Sequence, residues 1–418
     1  METLSFNIND VPQFKERLLL LTREYNYATI LDSNNYENTP YKEYDLLAGF
    51  GAKSIILSNR FSELEALSKK GCWLFGFLSY DLKNELENLK SENQDGLDFP
   101  DLCFFEPEIL VEVQKGEVRI SGNGVENFKK LIFKIDVRFK SIKQVRVQSR
   151  ISKEKYIKKI LQLLSHIQLG DIFEVNFCQE FYAENAIVDP ESVYNVLNTK
   201  SPVPFGSFLK VGDKYCLGAS PERFIKKLAS KVISQPIKGT VKRATSQEGD
   251  EVVKKKLGNS NKEKSENVMI VDLVRNDLSR FAKDGSVQVE ELFGIYTFPQ
   301  VHQMISTIVC EVEENLSPIE IIKNTFPMGS MTGAPKVRAM KLIEEYESTK
   351  RGLYSGAIGY IKPNGDFDFN VVIRSILYNA SNQYLSFMVG GAITSKSNPQ
   401  DEYEESLLKA KAIFEVLS

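Results

Sequence analysis

The hexapeptide Gln235-Pro236-Ile237-Lys238-Gly239-Thr240 follows the strand-like run Lys231-Val232-Ile233-Ser234. Its lysine stands between a β-branched residue and a glycine, which predicts a position at a strand end. A strand end that lines a cleft removes water from an ammonium, and this desolvation lowers the pKa of a lysine until the neutral amine is a usable nucleophile or base. The alternative is a surface lysine in a Pro/Gly turn, and only the surrounding sequence can decide between the two.

Length and composition describe an ordinary globular chain. Its 418 residues are 42% hydrophobic and 26% charged, and the formal net charge is −3. No segment resembles a linker, so one large interleaved domain or two tightly packed lobes are expected. No basic face indicates nucleic-acid binding.

Cysteine usage and the N-terminus favour a cytoplasmic protein. The five cysteines are scattered and lack the CxxC spacing of a zinc or redox site, so we interpret them as reduced core residues. The first residues lack the basic and apolar regions of a signal peptide, and no run of about 18 apolar residues occurs. We therefore expect a protein that is neither exported nor membrane-spanning.

Residues 1–145 hold short strand candidates and little catalytic potential. Strands are predicted over 28–31, 54–57 and 73–77, and Gln114-Lys115-Gly116 reads as the turn of a hairpin. An amphipathic helix is predicted over 152–164, and its apolar face holds Tyr156, Ile160, Leu163 and Leu164.

A strand predicted over 172–177 alternates apolar and polar residues. Its alternation puts Glu174 and Asn176 on the face opposite Phe173, Val175 and Phe177. If the apolar residues face the core, the polar pair faces a cleft or water.

Glu222 is a second carboxylate that the sequence relates to Lys238. It lies in the turn Ser220-Pro221-Glu222-Arg223-Phe224, sixteen residues before the lysine, which fits neighbouring strands of one hairpin. A carboxylate beside a lysine in a cleft is a plausible acid or base partner.

The strongest non-local pattern is two pairs of glutamates on two predicted helices. Glu263 and Glu266 lie three residues apart at the start of one helix, whose apolar run after Asn267 predicts burial, and Glu402 and Glu405 share a face of the last helix. Two buried pairs need a cation, and oxygen ligands without His or Cys suit Mg²⁺. The alternative is that the glutamates only complement helix dipoles. The core stripe of the last helix is predicted at Tyr403, Leu407, Ala410, Phe414 and Leu417.

A glycine-rich loop and a β-meander complete the pattern. The loop over 326–336 leads into a helix whose first position suits Pro335, and it offers free N–H groups to an anion. Arg374 is predicted in the middle of an apolar strand, and Gly390-Gly391 closes the next one. An arginine beside a glycine pair suits bidentate capture of a carboxylate, with packing or a structural ion pair as the alternative.

These motifs occur in the order found in chorismate-utilising enzymes, and the chain resembles that family, especially its aminodeoxychorismate synthase component I branch. The resemblance is strong over about residues 150–418 and thin over 1–145. The motifs that carry it are Ser220-Pro221-Glu222-Arg223-Phe224, Pro236-Ile237-Lys238-Gly239-Thr240, Glu266-Asn267, His302 with Ser306, Thr332-Gly333-Ala334-Pro335-Lys336, Ile373-Arg374 and Glu402-Tyr403-Glu404-Glu405.

The resemblance implies an α+β fold, a layered sandwich of two large, mostly antiparallel sheets with helices. It also implies an N-terminal part over 1–145 and a chorismate-binding catalytic part over 146–418, intertwined as one large domain.

The resemblance also implies a reaction. Chorismate and ammonia would give 4-amino-4-deoxychorismate, in para-aminobenzoate and folate biosynthesis. The Lys238 amine would add to carbon 2 of chorismate as the 4-hydroxyl leaves, and ammonia would then attack carbon 4 and expel the lysine. Glu222 would assist departure of the hydroxyl. Anthranilate synthases, by the same resemblance, have alanine at the position of Lys238.

The remaining site residues come from the resemblance as well. The implied Mg²⁺ region is Glu263, Glu266, Glu402 and Glu405, where the metal would bridge to the ring carboxylate. The implied substrate contacts are Thr240, His302, Thr332, Tyr354, Arg374, Gly390, Gly391 and Lys409.

Two positions depart from the family pattern. Glu174 stands where related aminodeoxychorismate and anthranilate synthases usually have glutamine and where isochorismate and salicylate synthases have a lysine base. The missing lysine argues against water-adding chemistry, but a carboxylate repels an anionic substrate unless it is protonated or paired. Glu263 replaces a more usual aspartate.

The family implies a glutamine amidotransferase that supplies ammonia. No cysteine of this chain lies in a nucleophile-elbow context such as Gly-x-Cys-x-Gly, so a separate partner subunit is expected. Two other functions stay open: anthranilate synthase component I, which Lys238 disfavours, and an inactive chorismate-binding regulatory or scaffolding subunit. The latter would be expected to lack a catalytic lysine or carboxylate.

Overall fold

The computed structural model describes residues 2–36, 40–298 and 301–418. Its strands are β1 (Glu2–Asn7), β2 (Tyr27–Asp32), β3 (Leu46–Phe50), β4 (Ser54–Ser58), β5 (Leu74–Leu78), β6 (Leu102–Glu106), β7 (Ile109–Gln114), β8 (Glu117–Gly122), β9 (Gln148–Ser149), β10 (Glu174–Ala183), β11 (Phe205–Val211), β12 (Lys214–Ser220), β13 (Arg223–Leu228), β14 (Lys231–Gln235), β15 (Ile237–Lys242), β16 (Gln288–Thr297), β17 (Val301–Glu311), β18 (Gly333–Ala334), β19 (Ala357–Ile361), β20 (Phe367–Val371), β21 (Ser375–Asn379) and β22 (Tyr384–Thr394).

The α-helices are α1 (Val11–Leu21), α2 (Phe61–Ser68), α3 (Lys83–Glu87), α4 (Val125–Lys134), α5 (Lys153–Gln168), α6 (Pro190–Lys200), α7 (Gln247–Gly258), α8 (Asn261–Ser279), α9 (Pro318–Thr325), α10 (Lys336–Tyr346) and α11 (Pro399–Leu417). Polar residues begin many of them; for example, the Ser152 side chain accepts from a backbone N–H at the start of α5, as the Ser260 side chain does at α8.

The strands form two antiparallel sheets. The first has the order β1-β8-β7-β3-β2-β11-β12-β21-β22-β10-β18, with β9 beside β10, and the second has the order β15-β17-β14-β13-β20-β19-β5-β6-β4, with β16 beside β17. Early and late strands are neighbours in both sheets, since β2 pairs with β11 and β5 pairs with β19. The expected α+β sandwich of two large sheets is confirmed, whereas the division at residue 145 stays a prediction.

The largest apolar cluster lies between the sheets. It joins Phe77 and Leu102 of the second sheet to Leu209 and Leu377 of the first. A second cluster packs α1, α4, α6 and α11 against the other face of the first sheet. Burial of each large side chain of this kind contributes about 1.5–3 kcal/mol, so these layers hold the strand ends of the site in place.

The chain passes from one sheet to the other between β20 and β21. β20 pairs with β13 and β19 in the second sheet, whereas β21 pairs with β12 and β22 in the first. Arg374 lies in this three-residue connection with a left-handed φ of 51°. The prediction that Arg374 lies in the middle of a strand is therefore wrong, because the change of sheet breaks the apolar run there.

The two helices that carry the glutamate pairs are buried differently from the predicted patterns. On α8, Val268 and Met269 are exposed, so the apolar run after Asn267 isn't buried as a whole. The predicted stripe of α11 is displaced by about one position. The buried residues of α11 are Glu402, Ser406, Ala410, Ile413, Val416 and Leu417.

The five cysteines are free thiols, and four of them are buried. Within the described ranges, no helix has both the length and the apolar character needed to cross a bilayer.

Candidate active site

A cleft opens where the ends of strands from both sheets meet α8 and α11, and we call it the Lys238 cleft. Twelve of the fourteen predicted site residues line it. They are Glu222, Lys238, Thr240, Glu263, Glu266, Tyr354, Arg374, Gly390, Gly391, Glu402, Glu405 and Lys409.

Lys238 is buried near the start of β15 and forms an ion pair with Glu174. The distance between Lys238 Nζ and Glu174 Oε1 is 2.6 Å, and the side chains are 9% and 4% exposed. Burial lowers the pKa of Lys238, but the charge and hydrogen bond of Glu174, with Glu266 and Glu222 further away, raise it above its ordinary value on balance. The expectation that desolvation lowers the pKa of this lysine is therefore wrong for the free protein.

The backbone around Lys238 is irregular, which brings helix α8 close to it. The pairing of β15 with β17 shifts register between Ile237 and Thr240. Gly239 between them has a φ of 93°, and a Cβ there would lie 3.0 Å from Glu263 Oε2. Glycine therefore permits both the left-handed turn and the close approach of α8.

Glu222 is the buried acid of the cleft. It follows β12 in the turn before β13, and its backbone N–H donates to Ser220 Oγ at 3.3 Å. Burial raises its pKa to about 7, although a hydrogen bond from Ser330 and the charge of Lys238 oppose the shift. A carboxyl of this kind holds its proton near neutral pH and can give it to a leaving group.

Glu174 and Asn176 show that the predicted alternation of β10 holds from its first residue. Val175 and Phe177 are buried in the core, whereas Asn176 lines the cleft and Glu174 contacts Lys238. Phe173 lies before β10 and is 65% exposed, so its predicted place among the inward apolar residues is wrong. Glu174 is paired with Lys238, and this pairing offsets the repulsion between its carboxylate and an anionic substrate.

Cationic side chains line the cleft together with the carboxylates. Arg374 comes from the connection between the sheets, and Lys409 comes from α11. Lys409 Nζ donates to the carbonyl oxygen of Gly390 at 3.0 Å. A Cβ at Gly391 would lie 3.2 Å from Glu402 Oε2 and 3.5 Å from Lys409 Nζ. The glycine pair thus lets the α11 side chains reach the strand, and these cations suit a carboxylate-bearing ligand.

The four predicted metal ligands meet at the cleft from α8 and α11. Burial raises the pKa of Glu266 to about 7 and also raises the pKa values of Glu263 and Glu402. Repulsion from Glu405 adds to the shifts of Glu263 and Glu402. The pKa of Glu405 itself is lowered by Lys409, whose Nζ lies 2.9 Å from Glu405 Oε1.

These residues fit a magnesium ion that is held by few protein ligands. Within the described ranges, no three His, Cys, Asp or Glu side chains form a ready-made metal cluster. Mg²⁺ keeps several waters and commonly uses one or two carboxylates together with an anionic substrate. Burial is the main cause of the raised pKa values of Glu266 and Glu402, and a divalent cation at these carboxylates would favour their charged forms.

The structure does not bring His302 and Thr332 to the wall of the cleft. The His302 ring contacts Asp250 Oδ1 at 2.9 Å and Thr297 Oγ1 at 3.0 Å. The fully buried Thr332 hydroxyl donates to backbone oxygens of Met328 and Gly329. Neither residue lines the cleft in this structure, and contact of the two side chains with the substrate stays a prediction.

Sequence reasoning missed several residues of the cleft wall. Gln303 lines the cleft instead of its neighbour His302, because β17 pairs Gln303 with Thr240 and alternation turns His302 the other way. Lys262 and Ser330 also line the cleft. Alternation relative to Thr240 is the signal that would have selected Gln303.

A buried ion pair lies next to two residues of the cleft wall, Asn176 and Met331. Arg351 makes a bidentate contact with Glu347, at 2.9 and 2.6 Å, and both side chains are 1% exposed. The same guanidinium donates to the carbonyl oxygens of Met331 and Asn176. It thereby joins β10 to the loop before β18.

Comparison with known proteins assigns the class to which this fold and cleft belong. The sequence model described as chorismate binding enzyme matches residues 28–415. The chain belongs to this family, and the resemblance seen in the motifs is confirmed.

Individual relatives carry two kinds of name. Aminodeoxychorismate synthase component 1 of Escherichia coli (strain K12) is 34% identical over 348 residues, 82% of this chain and 76% of the relative. Anthranilate synthase component 1 of Acetivibrio thermocellus is 34% identical over 369 residues, 82% of this chain and 74% of the relative.

Plant relatives are much longer than this chain. The probable chloroplastic aminodeoxychorismate synthase of Oryza sativa subsp. japonica is 34% identical over 387 residues, 82% of this chain. The matched part is 43% of that protein and 39% of the Arabidopsis thaliana aminodeoxychorismate synthase. The chain thus spans about two fifths of these relatives.

Solved structures agree with the fold. Anthranilate synthase component I from Streptococcus pneumoniae TIGR4 superposes with a TM-score of 0.77 at 25% identity, over 99% of this chain and 92% of that chain. The menaquinone-specific isochorismate synthase MenF from Escherichia coli gives a TM-score of 0.80 at 14% identity, over 100% and 94%, which shows the shared fold alone.

Proposed function

We propose that the chain is the synthase component of an aminodeoxychorismate synthase, which converts chorismate and ammonia to 4-amino-4-deoxychorismate for para-aminobenzoate and folate biosynthesis. The observation that carries the proposal is a buried lysine, Lys238, in one cleft with the buried acid Glu222. The name shared by the Escherichia coli, rice and Arabidopsis relatives supports it.

Lys238 is the proposed nucleophile. Its amine attacks carbon 2 of chorismate, the ring double bonds shift, and the bond between carbon 4 and the hydroxyl oxygen breaks. Ammonia then attacks carbon 4, the double bonds shift back, and the lysine leaves. Splitting the substitution into two steps through a covalent enzyme adduct is the advantage of a lysine at this place.

Glu222 is the proposed acid for the leaving hydroxyl. With a pKa of about 7 it holds a proton near neutral pH, so the hydroxyl can leave as water rather than hydroxide. The carboxylate that results can take a proton from the new ammonium at carbon 4 in the second step.

Binding of chorismate is assigned to the cationic side chains of the cleft. Arg374 and Lys409 are placed to pair with substrate carboxylates, and Tyr354 and Thr240 border the same space. The Gly390-Gly391 backbone allows a flat ring to lie close to β22.

Magnesium is the proposed metal. Glu266 and Glu402 would hold it, with Glu263 and Glu405 near by, and the ion would act as a Lewis acid and template at the ring carboxylate. In its absence these carboxylates add negative charge where an anionic substrate must bind, so chorismate affinity should depend on the metal.

Ammonia is proposed to come from a separate glutamine amidotransferase subunit. The numbering of the bacterial relatives as component 1 supports this division of labour. Free ammonium should replace the partner in vitro, whereas glutamine without an added amidotransferase should give no product.

Anthranilate synthesis is the second candidate, since the Acetivibrio thermocellus relative of that name is equally similar. The two reactions differ in their products: anthranilate synthesis releases pyruvate, and aminodeoxychorismate synthesis does not. Lys238 favours the latter, because direct attack by ammonia at carbon 2 needs no enzyme amine in that place.

Product analysis tests the proposal. The purified chain is incubated with chorismate, Mg²⁺ and ammonium at mildly alkaline pH. The products are separated by chromatography and identified by mass spectrometry. Aminodeoxychorismate without pyruvate is expected. Anthranilate with an equal amount of pyruvate would reject the proposal in favour of the second candidate, and unchanged chorismate would favour an inactive binding subunit.

A further inference from the structure

Glu174 is the carboxylate in direct contact with the reacting nitrogen of Lys238. Across the described ranges, it supplies the one side-chain carboxylate oxygen within hydrogen-bond distance of Lys238 Nζ, at 2.6 Å. Glu174 is buried and is not among the residues that line the cleft. It is the first residue of β10, fixed between β18 and β22.

A buried lysine and glutamate form an ion pair only while enough polarity surrounds them. Removal of water makes the charged pair less favourable than a neutral amine beside a neutral carboxyl, because both ions lose solvation. A substrate that fills the Lys238 cleft removes water from the lysine. Transfer of the proton across the 2.6 Å contact then changes no net charge and needs no solvent molecule.

We propose that Glu174 is a catalytic residue, the base that takes the proton from Lys238 when chorismate binds. This inference rests on the proposed function and deepens it. The Lys238 ammonium gives one proton to Glu174 Oε1, and its freed electron pair forms the bond to carbon 2. Glu222 protonates the departing hydroxyl as its bond to carbon 4 breaks. When ammonia later expels the lysine, Glu174 returns its proton to the amine.

Other carboxylates near Lys238 are less suited to this task. Glu222 must itself carry a proton for the leaving hydroxyl, and Glu266 belongs to the proposed metal side of the cleft. The groups whose charges act on Lys238 are Glu174 from β10, Glu222 from the turn after β12, Glu263 and Glu266 from α8, and Glu405 from α11. Of these, only Glu174 touches the amine and stands apart from both other roles.

The test measures how fast the Lys238 adduct forms without ammonia, as a function of pH. Wild type, Glu174→Gln and Glu174→Asp are mixed with chorismate and Mg²⁺ at pH values from about 6 to about 9 and quenched at successive times. Intact-protein mass spectrometry then gives the fraction of each protein that carries the adduct. Glutamine keeps the shape of the side chain and removes the base, whereas aspartate keeps a carboxylate. Glu222 is present in all three proteins, so the pH dependence that it causes cancels when each variant rate is divided by the wild-type rate.

In the Glu174→Gln variant, Lys238 should lose its proton to solvent instead. The rate of adduct formation relative to wild type should therefore rise roughly tenfold per pH unit until Lys238 is deprotonated. Glu174→Asp should be slower than wild type by one factor at every pH. A constant ratio for Glu174→Gln would overturn the base role, since a merely structural contact changes the rate uniformly. Absence of any wild-type adduct, with Lys238→Ala as the blank, would instead overturn the proposed function and the base role together.

Discussion

At the scale of single residues, the proposed chemistry depends on the protonation states of Lys238 and Glu222. In the free protein Lys238 carries a proton because Glu174 outweighs the effect of burial, and Glu222 carries one because burial dominates there. The sequence predicted Lys238 and Glu222 as the reactive pair. It could not give the direction of the lysine pKa, since Glu174 is 64 positions away and only the fold brings it to 2.6 Å.

Replacement of Glu222 by glutamine should change how stability depends on pH. The ordinary pKa of 4.5 rises to about 7 in the fold, so the folded state keeps a proton that the unfolded chain has already lost. In wild type the free energy of unfolding should therefore fall between these pH values, and this group accounts for about 3 kcal/mol of the loss.

The difference between Glu222→Gln and wild type should grow over that pH window, to the advantage of the variant at higher pH. Urea unfolding at several pH values measures it. Two parallel stability curves would contradict the buried, protonated state of Glu222. Activity of the variant should also be lost, because glutamine has no proton to give.

At the scale of elements, strand periodicity predicted which residues of β10 face the core but could not show where the chain changes sheet. The alternation of β10 was predicted correctly from Glu174 onward, and the helix predicted over 152–164 is observed as α5 at Lys153–Gln168. The apolar run around Arg374 gave no sign of a break, because both flanking strands are buried. Likewise, His302 and Gln303 are neighbours in sequence, and only the register against Thr240 separates them.

Arg374 offers a comparison of backbone strain with side-chain function. Arg374→Ala and Arg374→Gly remove the same guanidinium, but only glycine adopts the φ of 51° without strain. We expect the glycine variant to be more stable than the alanine variant by about 1 kcal/mol. Both should raise the KM for chorismate by roughly tenfold or more.

Thermal unfolding and steady-state kinetics give the two quantities. Equal stability of the two variants would argue against a strained connection. An unchanged KM would remove Arg374 from the substrate site.

Helices α8 and α11 permit a test of the metal site that does not depend on turnover. Mg²⁺ should raise the Tm of wild type, because binding to the folded state stabilises it by mass action. Glu266→Gln should weaken Mg²⁺ binding by about tenfold or more, and the shift of Tm should shrink accordingly.

Glu404→Gln is the matched control, since Glu404 is an exposed residue of α11 outside the Lys238 cleft. It should keep the full Mg²⁺-dependent shift. Loss of the shift in both variants, or in neither, would show that Glu266 isn't a ligand.

At the scale of the whole molecule, the site depends on contacts between distant parts of the chain. The family resemblance predicted two large, mostly antiparallel sheets, and the structure confirms them. The resemblance could not reveal the Arg351 contacts to the carbonyl oxygens of Met331 and Asn176, because these residues are 20 and 175 positions away and only the fold brings them together. Such backbone contacts leave little trace in a single sequence.

Arg351→Met should lower the free energy of unfolding by about 3–5 kcal/mol, since it leaves the buried Glu347 carboxylate without its partner. Adding Glu347→Leu to that variant should recover part of the loss, because no unpaired charge then remains. Chemical denaturation of the two variants and wild type measures both effects. A decrease in the free energy of unfolding below about 1 kcal/mol would mean that the Arg351–Glu347 pair contributes no more than an exposed ion pair.

The intact mass of the protein after mixing with chorismate tests the central claim most directly. Wild type is mixed with chorismate and Mg²⁺, with and without ammonium, and Lys238→Ala is treated in the same way. We predict a wild-type species heavier by one chorismate less one water, which disappears when ammonium is added and never forms in Lys238→Ala. Production of aminodeoxychorismate by Lys238→Ala at the wild-type rate, without such a species in either protein, would contradict the lysine mechanism.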